Sequence, residues 1–157
     1  MLLLFWMITG AANAQEMTTV VLVRHAEKGV DEGGDPQLTE EGMVRAQSLA
    51  ELLNVQAIDV IYSTPFNRTR QTVQPMAEAR NMEIVEYNPF DMNKILEMIR
   101  GARGKTMVIS GHSNTVPLII NQLIGEDRYK MIDESDYGNL YILTIADEDV
   151  KVLHLRY

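Results

Sequence analysis

The stretch VVLVRHAEK, residues 20–28, sets an unbroken apolar run against an abrupt polar tip. Val20, Val21, Leu22 and Val23 show no polar alternation. A short run of this kind, opening at Thr18, reads as a strand buried on both faces, as in a parallel sheet covered by helices. Its tip is Arg24-His25. A buried strand that ends in a cation and an imidazole asks what those groups are held for.

The neighbouring segments build the rest of the sheet. Gly29–Pro36, GVDEGGDP, is a loop. Thr39-Glu40-Glu41 reads as a cap and acidic first turn of a helix running to Asn54, with Met43, Ala46, Leu49, Ala50 and Leu53 at helical spacing. Ile58–Tyr62 predicts a strand, Asn67–Arg80 a helix, Met82–Tyr87 a weaker strand and Asp91–Ile99 a helix. Thr106–Ile109 is a strand and Val116–Ile124 an apolar helix. Leu140–Ile145 and Val150–Leu155 pair as a hairpin around ADEDV. Strands alternating with helices predict parallel βαβ units. The expected fold is α/β, a three-layer α/β/α sandwich with a mostly parallel central sheet and a C-terminal antiparallel hairpin.

In such sheets ligands bind beyond the carboxyl ends of the strands. There the chain places Arg24 and His25, then Arg68 within STPFNRTRQT (63–72), then His112 within ISGHSNTVP (109–117). Two guanidiniums offer forked donors matched to phosphate oxygens, and helix N-termini near Arg68 and His112 add N–H groups for an anion. One imidazole can attack phosphorus while the other donates to its oxygens. His25 is the better nucleophile, because adjacent cations keep it neutral. Arg70 sits two residues from Arg68 and points to another face, towards solvent. Asn114 and Ser113 read first as helix caps, with Asn114 kept as a candidate substrate contact. His154 alternates with Leu153 and Leu155 on a strand face. The methionines read as core filler.

These blocks resemble the signatures of the histidine phosphatase superfamily, the phosphoglycerate mutase-like clan, in its small single-domain phosphatase branch. The matching residues are Arg24-His25-Ala26, Ser63 through Arg68 to Gln71-Thr72, and Gly111-His112-Ser113. The resemblance covers residues 15–157 as one domain. It implies a phosphomonoester hydrolase that works through a phosphohistidine on His25, with Arg24, Arg68 and His112 as the phosphate pocket. It implies no metal and no organic cofactor. The family also uses a carboxylic acid to protonate the leaving oxygen. Asp91 is the first choice for that role, with Glu86 and Glu27 as alternatives. The other readings are a weakly active or inactive phosphate-binding member of the fold, and a phosphomutase. Short connections, with only GVDEGGDPQ and GEDRYKMIDESDYGN as walls, favour water as acceptor and hence hydrolysis.

Composition limits the partners. Fourteen Lys and Arg against 22 Asp and Glu give a formal net charge of -8. That balance speaks against nucleic acid and anionic membranes, and acidic walls disfavour highly anionic substrates. A small phosphorylated substrate or a phosphoprotein is the expected partner. There is no cysteine, so thiolate chemistry is excluded. Three histidines, without His-x-x-x-His or His-Glu-x-x-His spacing, argue against a metal hydrolase. Residues 1–14, an apolar stretch ending in Ala12-Asn13-Ala14, read as a signal peptide with Gln15 as mature start, although no Lys or Arg precedes the apolar run. The stretch is too short for stable membrane insertion. The expected location is periplasmic or secreted, and cytoplasmic if the segment is retained.

Overall fold

The computed structural model describes residues 16–30 and 33–157; the signal-peptide reading of residues 1–14 lies outside them. The elements run β1 (Thr18–Arg24), α1 (Glu40–Leu52), β2 (Val60–Ser63), α2 (Asn67–Arg80), β3 (Ile84–Glu86), α3 (Met92–Gly101), β4 (Thr106–Gly111), α4 (Thr115–Ile124), β5 (Asn139–Ala146) and β6 (Asp149–Arg156). They form a six-stranded sheet in the order β3-β2-β4-β1-β5-β6. The β3-β2, β2-β4 and β4-β1 pairs are parallel, and β5 and β6 add antiparallel. This is the expected α/β sandwich with its C-terminal hairpin.

The uniform hydrophobicity of β1 follows from its central place. Val20 and Leu22 face one core with Ile95, Ile99, Val116, Ile119 and Ile120, from α3 and α4. Val21 and Val23 face the other core with Leu49, Leu53, Val73 and Met76, from α1 and α2. Side chains alternate along a strand, so a strand covered on both faces needs apolar residues at every position. Each such side chain, fully buried, contributes about 1.5–3 kcal/mol. Together they outweigh the few kcal/mol that one imperfectly paired polar group at the tip costs.

The same alternation aims the tip. Arg24 is the last residue of β1 and shares the face of Val20 and Leu22, the side covered by α4. Strand β4 runs two residues further than predicted, to Gly111, because Arg24 pairs with Gly111 and the His25 amide donates to the Gly111 carbonyl at 2.9 Å. Strand β3 is shorter than predicted and lies at the sheet edge, where Val85 and Glu86 are exposed. Neighbours β1 and β4 are followed by helices on opposite faces, α1 and α4, which opens a crevice between their carboxyl ends.

Gly42 pins the loop that follows β1. A Cβ there would overlap the Glu27 carbonyl, so only glycine lets the first turn of α1 approach this closely. Thr39 caps the helix, its hydroxyl accepting from the Gly42 amide at 3.1 Å, and its own amide donates to the Glu27 carbonyl at 2.9 Å.

Candidate active site

The crevice is a cavity of about 330 Å³ lined by His25, Lys28, Phe66, Arg68, Pro89, Phe90, His112, Ser113, Asn114, Thr115, Met131 and Glu134. Residues from the ends of β1, β2 and β4 meet there. Another cavity, about 360 Å³, is lined by Glu16, Arg100, Arg103 and Asp147 among others. It mixes both charges and holds no imidazole, so it offers no comparable chemistry.

His25 is 3% exposed. Its Nδ1 lies 2.8 Å from the Ala26 carbonyl oxygen. A carbonyl only accepts, so Nδ1 carries the proton and Nε2 keeps its lone pair. Burial first, then Arg24, His112 and Arg68, push the imidazole down to about 4, against the opposing pull of the Ala26 carbonyl. His25 is therefore neutral at pH 7, with a bare nitrogen fixed in direction. Ala26 is held in turn, because its amide donates to the Thr72 hydroxyl at 2.9 Å. The Thr72 hydroxyl donates to the Arg68 carbonyl at 2.7 Å. Thr72 is four residues beyond Arg68 on α2, so both lie on one helix face. That face meets the nucleophile loop and the cavity together.

His112 is pushed down to about 4, by burial first and then by Arg68. Its ring is held through threonines that the sequence reading passed over. Nε2 lies 3.0 Å from Thr64 Oγ1, which is 2.7 Å from Thr69 Oγ1. The single Thr69 hydroxyl proton is taken by the Phe66 carbonyl at 2.8 Å, with the Thr64 carbonyl at 3.1 Å. Thr64 then donates to Thr69 and accepts from Nε2–H of His112. This leaves Nδ1 of His112 as an acceptor, 3.5 Å from Nη2 of Arg68. The two imidazole centroids are 5.7 Å apart.

Arg24 is 1% exposed and more heavily engaged than a dedicated phosphate clamp. Nη1 donates to the Asp133 and Asp136 carbonyls at 2.6 and 3.1 Å, and Nη2 to the Glu134 carbonyl at 2.9 Å and Glu134 Oε2 at 3.2 Å. The Tyr137 ring lies 4.4 Å from the guanidinium carbon. Arg24 thus fastens the segment after α4 over the crevice. One of its donors stays open, since the buried Nε has no acceptor, and the same is true of Nε of Arg68. Arg68 faces Asp35 at 3.6 Å and lies over the Phe66 ring at 4.5 Å. The Nε–H groups of Arg24 and Arg68 thus have no protein acceptor, and both guanidiniums act electrostatically on His25.

The family profile described as "Histidine phosphatase superfamily (branch 1)" matches residues 20–90. Over this stretch, which holds Arg24, His25 and Arg68, the chain is similar to that superfamily. Phosphoserine phosphatase 1 of Hydrogenobacter thermophilus is 41% identical over 76 residues, which is 45% of this chain and 36% of that protein. A candidate phosphohistidine phosphatase, SixA of Agrobacterium tumefaciens, superposes with a TM-score of 0.69 at 25% identity, covering 88% of this chain and 98% of its own. The alpha-ribazole phosphatase of Shigella flexneri superposes with a TM-score of 0.71 at 17% identity, covering 88% and 96%, a likeness of fold.

The structure brings His25, Arg68 and His112 to the cavity, keeps Arg24 buried next to His25, and leaves the expected acids outside. Asp91 is the exposed N-cap of α3, its carboxylate accepting from the Lys94 amide at 3.1 Å, and it does not line the cavity. Helix α3 begins directly after it, so its carboxylate serves the helix. Glu86 points from the edge strand to Arg70, 2.6 Å away. Glu27 lies on Arg45, with contacts of 2.6, 2.8 and 2.9 Å. Burial raises it, but the Arg45 hydrogen bonds outweigh that and hold its carboxyl below the usual range. Arg70 is solvated as expected, and His154 stacks on Tyr141 at 4.3 Å on a strand face.

Two other readings change. Asn114 sits at the N-cap of α4 but its side chain makes no cap bond; it lines the cavity instead. Ser113, read as a cap, donates to Glu134 Oε1 at 2.5 Å. Among the described residues Glu134 is the one carboxylate lining the cavity, and sequence reading missed it. It lies in an acidic loop with no periodicity, and contacts with Arg24 and Ser113, both far away in sequence, bring it in. Among the described residues no cluster of His, Asp and Glu is placed to hold a metal ion, and no helix is long and apolar enough to cross a membrane.

Proposed function

We propose that the chain hydrolyses small phosphomonoesters through a covalent phosphohistidine on Nε2 of His25. The observation that carries this reading is the pair of buried, acceptor-less Nε–H groups of Arg24 and Arg68 beside a neutral imidazole with a fixed lone pair. A phosphoryl group supplies acceptors for both and an electrophile for the third. Its negative charge favours a proton on Nδ1 of His112, which turns that acceptor into a third donor. His25 attacks in line, the ester oxygen leaves, and water then attacks the phosphorus. The similarity to enzymes described as phosphoserine, phosphohistidine and alpha-ribazole phosphatases supports a phosphorylated substrate. Export to the periplasm, with Gln15 as mature N-terminus, belongs to the same proposal and is read by N-terminal sequencing of the exported chain.

The test is rapid-quench labelling with a ³²P-phosphomonoester. The expected result is a base-stable, acid-labile label on the wild type that is absent in His25→Ala. Turnover without any trapped label, or retained by His25→Ala, would overturn the covalent route.

A further inference from the structure

The proposed chemistry lacks a proton donor, and the residues offered for it by sequence face elsewhere. We propose that Glu134 is that group: it protonates the leaving oxygen when phosphorus is transferred to His25, and takes a proton from the attacking water when phosphohistidine is hydrolysed. The inference rests on the phosphatase reading of the same site.

Three observations carry it. Glu134 lines the cavity shared with His25, Arg68 and His112, and among the described residues it is the one carboxylate to do so. Its side chain is 61% exposed, so it has room to turn and solvent to exchange protons with. Its present contacts define two ends of a short path: Oε2 accepts from Nη2 of Arg24 at 3.2 Å, and Oε1 from the Ser113 hydroxyl at 2.5 Å. Nε and Nη2 of an arginine form one side of its donor fork. On Arg24, Nε is open while Nη2 is partly occupied by Glu134. A phosphoryl group that takes this side of the fork displaces Oε2 from Arg24 and leaves the carboxylate tethered through Ser113. Glu134 is then pushed towards the outer, leaving-group side of the phosphorus, where Phe90 and Met131 form the exposed rim.

Displacement also changes its acidity. In the free enzyme the Ser113 hydroxyl, then Arg24 and Lys28, hold Glu134 below the usual carboxylate range, and His25 and His112 also face it. Phosphate binding removes the Arg24 contact and adds negative charge, and both favour the protonated form.

The protons balance. A substrate monoanion brings one proton, which passes to Glu134 as the phosphoryl dianion settles on the arginines. Nε2 of His25 forms the N–P bond, the P–O ester bond breaks, and the leaving oxygen takes the Glu134 proton. Water oxygen then bonds to phosphorus, the N–P bond breaks, and the water proton goes to Glu134. Phosphate departs as the dianion, Glu134 returns its proton to solvent, and Nε2 is bare again.

Leaving-group dependence tests this. Glu134→Gln, which keeps the shape and the Ser113 contact, is compared with wild type on phosphoserine and on 2,4-dinitrophenyl phosphate. A poor alkoxide leaving group needs an acid and dinitrophenolate does not. The expected loss in kcat is about 10²–10⁴-fold on phosphoserine. The dinitrophenolate burst should be nearly preserved, followed by slow phosphate release and accumulation of the acid-labile label. Added formate should partly restore Glu134→Ala. Equal losses in the rate of the phosphorylation step on both substrates, or a change confined to KM, overturn the role of Glu134 while the wild-type label still stands. Loss of the label in the wild type itself would instead refute the phosphatase reading.

Discussion

The neutral state of His25 has a consequence for stability that is measurable without any substrate. His25 stands at about 4 in the folded chain against an ordinary 6.5. As pH falls through 6.5 the unfolded chain takes up a proton at this residue and the folded chain does not. The stabilisation is complete above pH 6.5 and is lost progressively as pH falls from 6.5 towards 4. Integrating proton uptake between pH 7 and pH 5 gives a loss of about 2 kcal/mol from His25 alone. His112, shifted in the same direction but less buried, raises the loss for the pair to no more than about 4 kcal/mol. The assay is urea unfolding followed by circular dichroism at pH 7 and pH 5, for wild type and His25→Asn. Asparagine cannot titrate, so the variant should lose about 2 kcal/mol less than wild type over this interval. Glu27 and Glu134, both held below 4.5, lose their contributions mainly at lower pH and cancel in the comparison. Identical losses in the two proteins would refute the argument that burial and the arginines keep His25 uncharged. Inorganic phosphate should also stabilise the wild type, by occupying the open arginine donors.

Thr72→Val removes the acceptor of the buried Ala26 amide. It should cost about 1–3 kcal/mol in a thermal or urea melt. It should also lower kcat/KM at least tenfold, about 1.4 kcal/mol, because Ala26 orients the His25 ring; unchanged turnover would mean that the ring is held by other contacts. Asp91→Ala should cost about 0.5–2 kcal/mol of stability through loss of the α3 cap, with alkyl phosphate turnover unchanged, and a large fall in turnover would return Asp91 to the site.

What could be read in advance follows from how local each signal is. A run of four branched aliphatic residues needs no partner to declare a strand with two covered faces. The convergence of His25 and His112 was legible because each sits where an apolar run stops, and strand ends of such a sheet share one edge. The acid was not legible. Asp91, Glu86 and Glu27 are near the right blocks in sequence, yet a helix cap, Arg70 and Arg45 claim them. Nearness along the chain says nothing about which of several cations a carboxylate will meet.

The sequence by itself determined the α/β alternation and the order of the elements, because periodicity and abrupt polarity changes are properties of consecutive residues. Tertiary structure alone decided what Arg24, His25, Arg68 and His112 face. It placed the loop carbonyls of 133–136 on Arg24 and left one donor of each arginine open. It threaded Thr64 and Thr69 behind His112, and set Glu134 beside Ser113. These contacts join residues from separate parts of the chain, and a hydrogen bond depends on distances and directions that no run of neighbouring residues encodes.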